Sequence, residues 1–181
     1  GDNNRVLNSR FNGTFAAINI GYATKKWVND IHYYFSYNQF GFIFSDLQQF
    51  LEPDNRWSRT INGPHHIVTL NMLSSENTIQ LKRSTLKINL GYQSNFRQED
   101  EGGGKLSLQM QLNSLIGSAK WIKDLNEKTK LILANNASIE QNINYGARKL
   151  VPDAFMAESA LSVYMRHHWN MVILEYGIGT G

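Results

Sequence analysis

Histidines and carboxylates are the residue types in this chain best suited to chemistry. Two histidine pairs occur, His65–His66 and His167–His168, and residues 99–101 are Glu, Asp and Glu. Adjacent residues of a strand point to opposite faces, so neither pair can chelate a metal as a unit. Paired carboxylates need separation and an apolar pocket for acid–base catalysis, and this acidic run adjoins a triple glycine typical of a solvated loop. No nucleophile elbow or phosphate-binding loop is present, so we expect no enzyme, no metal and no cofactor.

Composition restricts the class of protein further. The chain has 181 residues, 41% hydrophobic and 18% charged, which fits one domain. It contains no cysteine, so disulfides and thiolate chemistry are excluded. The net charge of +3 comes from scattered basic residues, which does not favour nucleic-acid binding. No apolar run reaches the roughly 18 residues of a spanning helix.

Alternation with a period of two dominates the sequence and predicts about eight long antiparallel strands. Residues 1–12 are expected to be a poorly structured start, and residues 13–179 to form strands in an up-and-down meander. The predicted strands are 13–23, 30–44, 65–81, 85–100, 106–123, 129–143, 158–167 and 171–179. A short helix is predicted at 45–51, where Ser45 and Gln48 resemble a capping box.

Two rows of side chains on the same strands have opposite character. The 20 asparagines are unusual for strands, and their presence suggests that the polar row faces water. We expect the apolar row to face lipid and the polar row, with its asparagines, to face a hydrated lumen. The residues predicted to face lipid are Ile31, Tyr33, Phe35, Tyr37, Leu86, Ile88, Leu90 and Tyr92.

The connections predict a transmembrane β-barrel in the bacterial outer membrane. Those after the first, third, fifth and seventh strands are tight, and the others are longer or strongly polar, which is the asymmetry of outer-membrane barrels. Trp27, Trp121 and Trp169 lie in or near the tight turns, where an indole suits a bilayer interface.

The chain also resembles the barrel of TonB-dependent outer-membrane receptors of the Bacteroidetes kind over about residues 13–179. The stretches that carry the resemblance are SYNQFGFIFSDLQQF, HHIVTLNMLSSENTIQLKRSTLKINLGYQSNFRQEDE, WIKDLNEKTKLIL, QNINYGARKLVPD and VILEYGI. The residues that match the family layout are His65, His66, Asn126, Glu127, Lys128, Pro152 and Asp153. The resemblance implies energised uptake of a ferric siderophore, cobalamin or a glycan, with a plug domain, TonB, a nutrient ligand and outer-membrane lipid as partners.

The chain departs from the family in lacking a plug, a TonB box and an aromatic C-terminus, and in having far fewer than the family's roughly 22 strands. We therefore expect an excised portion of a larger receptor, which could self-associate through its unpaired edge strands. Two alternatives stay open: a complete eight-stranded outer-membrane protein, and a soluble lipocalin-like barrel that binds an apolar ligand. The residues predicted to contact a ligand, from the polar row and the long loops, are Tyr34, Asn38, Arg56, Trp57, Arg59, Gln93 and Arg97.

Overall fold

A computed structural model of the chain describes residues 8–42, 59–61, 63–102 and 104–181. These residues form eight antiparallel β-strands and no helix, in one sheet whose strand order is the chain order. The strands are Phe11–Ala23 (β1), Trp27–Gly41 (β2), His65–Leu81 (β3), Ser84–Asp100 (β4), Leu106–Asn126 (β5), Thr129–Asn144 (β6), Ala154–Trp169 (β7) and Val172–Thr180 (β8). The predicted all-β, up-and-down meander of eight strands is confirmed. The helix predicted at 45–51 lies outside the described residues.

The connections differ between the two ends of the sheet. Tight turns at 24–26, 82–83, 127–128 and 170–171 lie at one end, which we call the turn end. The longer connections at 42–64, 101–105 and 145–153 lie at the other, the loop end. Local chemistry makes the tight turns: the Thr24 hydroxyl accepts the Trp27 amide at 3.0 Å, and Asn170 has a φ of 45°. This division is the one that the sequence predicted.

Several strands are longer than the alternating pattern indicated. β1 begins at Phe11 rather than at residue 13, β5 continues to Asn126, and β7 begins at Ala154. Backbone ladder hydrogen bonds continue where the side chains no longer alternate, so the pattern underestimates the length. Asn8 is also held in place, because its side chain donates to the carbonyl oxygens of Phe42 at 2.8 Å and Pro64 at 2.5 Å.

The register gives the tilt of the strands from the direction perpendicular to the rim of the sheet. Trp27 is the first residue of β2, and the row of paired residues that starts from it crosses five strand spacings to reach Val163 on β7. Val163 lies six residues before Trp169, where β7 ends at the same rim. Between β2 and β7 the rim is therefore displaced by about 20 Å along the strands and by about 24 Å across them. The strands are thus tilted by about 40° from the direction perpendicular to the rim. Transmembrane β-barrels have strand tilts of roughly 35–45°.

The register also assigns each strand residue to a face. Ile31 pairs with Ser75, which pairs with Leu90, and Tyr33 is joined in the same way through Leu73 to Tyr92. The apolar face, defined as the one that carries these residues, contains all eight positions predicted to face lipid: Ile31, Tyr33, Phe35, Tyr37, Leu86, Ile88, Leu90 and Tyr92. That they share one face is confirmed; what medium covers that face stays a prediction.

The opposite face, which we call the charged face, carries almost every charge of the sheet. Within the eight strands, the charged residues on this face are Asp30, Glu76, Lys87, Arg97, Glu99, Lys120, Asp124, Lys130, Glu140, Glu158, Arg166 and Glu175. Only Asp100 and Lys123, both close to strand ends, have the parity of the apolar face. This segregation, over the seven strands that carry charges, is expected where the two faces of a sheet meet different environments.

No second layer of described residues covers the sheet, so it lacks an ordinary core. Leu90 is 52% exposed and Tyr92 44% exposed on the apolar face. In contrast, Ser36, Ser114 and Ile132 on the charged face are buried by their neighbours, although they lie in the middle of strands. Side chains of a single layer bury one another where the sheet curves towards them. From this burial we infer that the charged face is the concave one, although Phe15 and Ile116 on it remain more than half exposed. None of the described residues forms a helix long and apolar enough to cross a membrane.

Candidate functional site

A row of four charges crosses the concave face near the turn end. Asp124 on β5 pairs with Lys130 on β6, which pairs with Arg166 on β7 and then with Glu175 on β8. Lys130 Nζ lies 3.1 Å from an Asp124 carboxylate oxygen, and Arg166 Nε lies 2.8 Å from a Glu175 carboxylate oxygen. These groups are about half exposed, so each ion pair is worth little by itself. Opposite charges face each other in the outer two pairs and favour the register of β5 with β6 and of β7 with β8. Lys130 and Arg166 face each other as like charges, and each is compensated by its own carboxylate.

Four of the predicted ligand residues lie together on the concave face. Tyr34 and Gln93 belong to one row, separated by Met72, and Asn38 and Arg97 belong to a second row nearer the loop end, separated by Val68. Arg59 is exposed in the connection between β2 and β3, where its carbonyl oxygen accepts the Asn12 side-chain amide at 3.1 Å. Arg56 and Trp57 lie outside the described residues. Binding by any of these seven residues remains a prediction.

An aromatic and ionic cluster lies at the loop end of the same face. The His66 ring stacks on Phe40 at 5.1 Å between ring centroids and lies 4.5 Å from the Phe42 ring. Its Nδ1 lies 3.6 Å from a Glu99 carboxylate oxygen and 3.4 Å from Arg97 Nη2. Burial among these rings lowers the pKa of His66, although the Glu99 carboxylate opposes that shift. Arg97, one of the predicted ligand residues, is thus held by His66 and Glu99.

Asp153 holds the connection between β6 and β7 in place through hydrogen bonds and an ion pair. One Asp153 carboxylate oxygen accepts the backbone and the side-chain amide of Asn144, at 2.6 Å and 2.8 Å, and the other lies 2.7 Å from Lys149 Nζ. These hydrogen bonds, with that to Lys149 the largest cause, lower the pKa of Asp153 to about 2. Pro152 and Asp153 are two of the residues that carried the family resemblance, and here they end a closed loop.

The same loop lies against β5 and the preceding loop. Arg148 pairs with Leu108 in an isolated parallel bridge and forms an ion pair with Glu101. Its backbone amide donates to the Ser107 carbonyl oxygen at 2.9 Å. Leu108 is consequently fully buried. These contacts therefore fix the connection between β6 and β7 against β5 at the loop end of the sheet.

The apolar face carries aromatic side chains near the turn end. Trp27, Trp121 and Trp169 all have the parity of this face. Tyr22 packs edge-on against Trp27 at 5.4 Å, and the His167 ring stacks on Trp169 at 5.2 Å. Trp27 and Trp169 lie at strand ends, but Trp121 lies five residues inside the end of β5, because that strand is longer than predicted.

Asparagines are not confined to the concave face, which corrects the expectation that they belong to the polar row. The asparagines with apolar-face parity in the middle strands are Asn29, Asn71, Asn77, Asn113 and Asn135. Their amides bond to neighbours on the sheet: Asn29 Nδ2 lies 2.9 Å from both Ser75 Oγ and Asn77 Oδ1. The Tyr33 hydroxyl donates to Asn71 at 2.9 Å, and the Tyr92 hydroxyl donates to Asn113 at 3.1 Å. Local bonding therefore satisfies amides that alternation alone would assign to water.

The fold separates the two members of each histidine pair, and it also separates Glu99 from Glu101 in the acidic run. His65 and His66 point to opposite faces, as do His167 and His168. In the acidic run 99–101, Glu99 faces His66 while Glu101 pairs with Arg148. Among the residues that the structure describes, no group of three or more histidines or carboxylates is placed to hold a metal ion.

A pocket on the concave face was not predicted. It has a volume of about 240 Å³ between β4, β5 and β6, and it is lined by Lys87, Asn89, Ser118, Ala119, Lys120, Ala134 and Asn136. The sequence signal was limited to the parity of each residue on its own strand, which places all of these residues except Ala119 on this face. Their convergence depends on the register of three strands.

The fold and the site together define a curved, single-layer, up-and-down β-sheet of barrel type, with one charged concave face and one apolar face that no second layer of described residues covers. Comparison with known protein families, curated proteins and solved structures finds no match to the chain.

Proposed function

We propose that the chain is part of the wall of an outer-membrane β-barrel of the TonB-dependent receptor kind. In this proposal acyl chains contact the apolar face, and the charged face lines a hydrated lumen. The observation that carries it is the apolar face, which no second layer of described residues covers. Large side chains such as Ile31, Leu90 and Tyr92 are exposed there, on a sheet that places its charges opposite. A soluble protein rarely exposes an apolar surface of this extent.

The height of the apolar band supports this environment. On the apolar face of β4 the uninterrupted run of apolar side chains, Leu86 to Tyr92, is bounded by Ser84 and Ser94, which lie about 33 Å apart along the strand, and only Phe96 lies beyond it. At an inclination of about 40° this corresponds to about 25 Å across a bilayer, the height of the apolar band of outer-membrane barrels. The Tyr33 and Tyr92 hydroxyls bond to Asn71 and Asn113, each nearer the loop end, as expected for tyrosines at an interface.

The edges of the sheet favour a portion of a larger barrel over a complete one. Among the described residues, β1 pairs only with β2 and β8 only with β7. Exposed edges do not occur in the hydrocarbon region, so further strands or another copy must pair with them. A lipocalin-like barrel is less well supported, because its apolar side chains would pack together inside, whereas here the concave face is the charged one.

The proposed activity follows from the family resemblance rather than from a reaction site. The intact receptor would take up a scarce nutrient, such as a ferric siderophore, cobalamin or a glycan, with energy supplied by TonB through a plug. This chain would contribute wall, loops and ligand contacts from Tyr34, Asn38, Gln93 and Arg97, and no catalysis. In cells, deletion of the coding sequence should abolish uptake of one such nutrient and leave that of the others unchanged. Uptake that is intact for all three classes would refute the receptor role while leaving the barrel role standing.

The membrane environment can be tested directly because the chain has no cysteine. Single-cysteine variants at residues 86–93 would carry a nitroxide label in phospholipid vesicles, and their collision rates with oxygen and with a water-soluble nickel complex would be measured. We expect labels at 86, 88, 90 and 92 to collide preferentially with oxygen, and labels at 87, 89, 91 and 93 with nickel. A uniform profile, or the opposite alternation, would exclude the proposed orientation.

A further inference from the structure

Two lysines face each other directly across the concave face. Lys87 on β4 and Lys120 on β5 are register partners with the same facing. Like charges at such positions destabilise a sheet. The Lys120 ammonium lies 5.6 Å from the centre of the Tyr164 ring, which compensates only part of its charge. An anion bound between the two ammonium groups would remove this repulsion.

The other basic strand residues of the charged face already have such partners. Lys130 pairs with Asp124, Arg166 with Glu175, and Arg97 with Glu99. Within the described part of the chain, Lys87 and Lys120 form no ion pair with a carboxylate. Asp30 and Glu76 face each other in the adjacent row, where Glu76 is the register partner of Asn89 and lies diagonally from Lys87 without forming an ion pair with it.

The space beside the two lysines is suited to a small anion. The pocket of about 240 Å³ is lined by both lysines together with Asn89, Ser118 and Asn136, and by the small residues Ala119 and Ala134. The lysines supply charge, while the amide and hydroxyl groups can donate to oxygen atoms. Its lining contains no carboxylate and no large apolar side chain. The volume is below the range of about 300–1,000 Å³ typical of drug-sized ligands.

We infer that Lys87 and Lys120 form an anion-binding site on the concave face, whose ligand is a small oxyanion or an anionic group of the carboxylate or phosphate class. The two ammonium groups bind the oxygen atoms, and Asn89, Ser118 and Asn136 donate hydrogen bonds around them. This inference goes beyond the proposed barrel function and does not rest on what covers the apolar face.

The test uses the full 181-residue chain in an uncharged detergent and a non-phosphate buffer, with its lysines carrying ¹³C-methyl groups. Inorganic phosphate and citrate are titrated separately, with chloride at matched ionic strength as the control. We expect the Lys87 and Lys120 methyl signals to shift with saturation and the Lys123 and Lys130 signals to stay in place. The probe that saturates at the lower concentration identifies phosphate or carboxylate as the preferred class. Equal shifts of all lysine signals, or shifts equal to those with chloride, would overturn the inference.

Matched substitutions separate the site from general charge. Lys87→Gln and Lys120→Gln should each weaken binding of the preferred probe at least tenfold. Lys123→Gln removes the same charge from the opposite face and should change binding less than twofold. Equal weakening by all three would reduce the site to long-range electrostatics and refute it.

A stability measurement distinguishes a variant that has lost the anion site from a variant that has misfolded. Without added anion, Lys87→Gln should raise the denaturant midpoint, because it removes the repulsion between the lysines. The preferred anion should raise the midpoint of the parent chain but not that of Lys87→Gln. A midpoint that Lys87→Gln lowers, or an equal response of both proteins to the anion, would contradict the inference.

Discussion

Placing one positive charge on the apolar face gives a decisive test of what covers that face. Leu90 lies near the middle of the apolar stretch of β4 and is 52% exposed. If acyl chains cover it, Leu90→Arg loses about half of the 1.5–3 kcal/mol that a leucine gains on leaving water. An arginine near the bilayer centre costs about 2–4 kcal/mol more on the lipid face of a barrel. The expected loss in the free energy of unfolding is therefore about 3–5 kcal/mol.

Gly91 offers a matched control at the next position, on the charged face. A Cβ atom at Gly91 meets no heavy atom within 4 Å, so a side chain fits there without displacing a neighbour. Gly91→Arg should change the free energy of unfolding by no more than about 1 kcal/mol, as expected of a substitution that displaces no neighbour. The same residue is thus introduced at adjacent positions that differ in facing.

The assay is urea unfolding of the chain in phosphatidylcholine vesicles, followed by the fluorescence of its four tryptophans. A loss confined to Leu90→Arg supports contact with lipid. If Leu90 is bathed in water, both variants should stay within about 0.5–1 kcal/mol of the parent chain. That outcome would refute the membrane orientation, because a hydrated surface has no reason to reject a charge.

Three further predictions concern the concave face and the loops. Gly177→Ala should destabilise the chain by about 1–3 kcal/mol in urea unfolding, because the added Cβ collides with Tyr164 and the Val163 carbonyl oxygen, whereas Gly91→Ala should not. The Asp153 pKa of about 2 lies below its unfolded value of 3.8, so its stabilisation is present above pH 4 and is lost as the pH falls towards 2; protection of the loop amides from hydrogen exchange should fall in that window. The pKa of His66 is lowered, so its stabilisation is present above pH 6.5 and declines as the pH falls below it; an NMR titration should place the pKa below 6.5, and lower still in Glu99→Gln, because that carboxylate raises it.

Alternation was enough to predict the strands, their order and the shared facing of Leu86, Ile88, Leu90 and Tyr92. The period of two is imposed by the backbone, so it can be read without knowing which strands pair. Loop lengths were enough to separate a turn end from a loop end. Element ends were less accurate, because ladder hydrogen bonding extends β5 to Asn126 past the point where side chains alternate.

The anion pocket could not have been predicted, since it depends on register. A bulge at Glu99 and Asp100 shifts the pairing of β4 with β5 by one residue. That shift sets Lys87 opposite Lys120, and a second irregularity between Asp124 and Asn126 accommodates the next hairpin. Neither bulge has a glycine or another local signal. The sequence therefore predicts the face on which Lys87 lies, but it does not predict that the register partner of Lys87 is Lys120.

The asparagines on the apolar face are compatible with lipid because of how they are bonded. Asn29 is 9% exposed and donates to Ser75 and Asn77, while Asn77 accepts the Trp27 indole N–H at 3.1 Å near the turn end. Asn135, farther into the band, donates to Ser159 Oγ and to the Ala160 carbonyl oxygen, both at 3.1 Å. An amide whose donors are satisfied within the sheet has much less to lose in hydrocarbon than a free one. Moving even a paired charge out of water costs several kcal/mol per ion, which explains why the charges, and not the amides, are almost confined to the charged face.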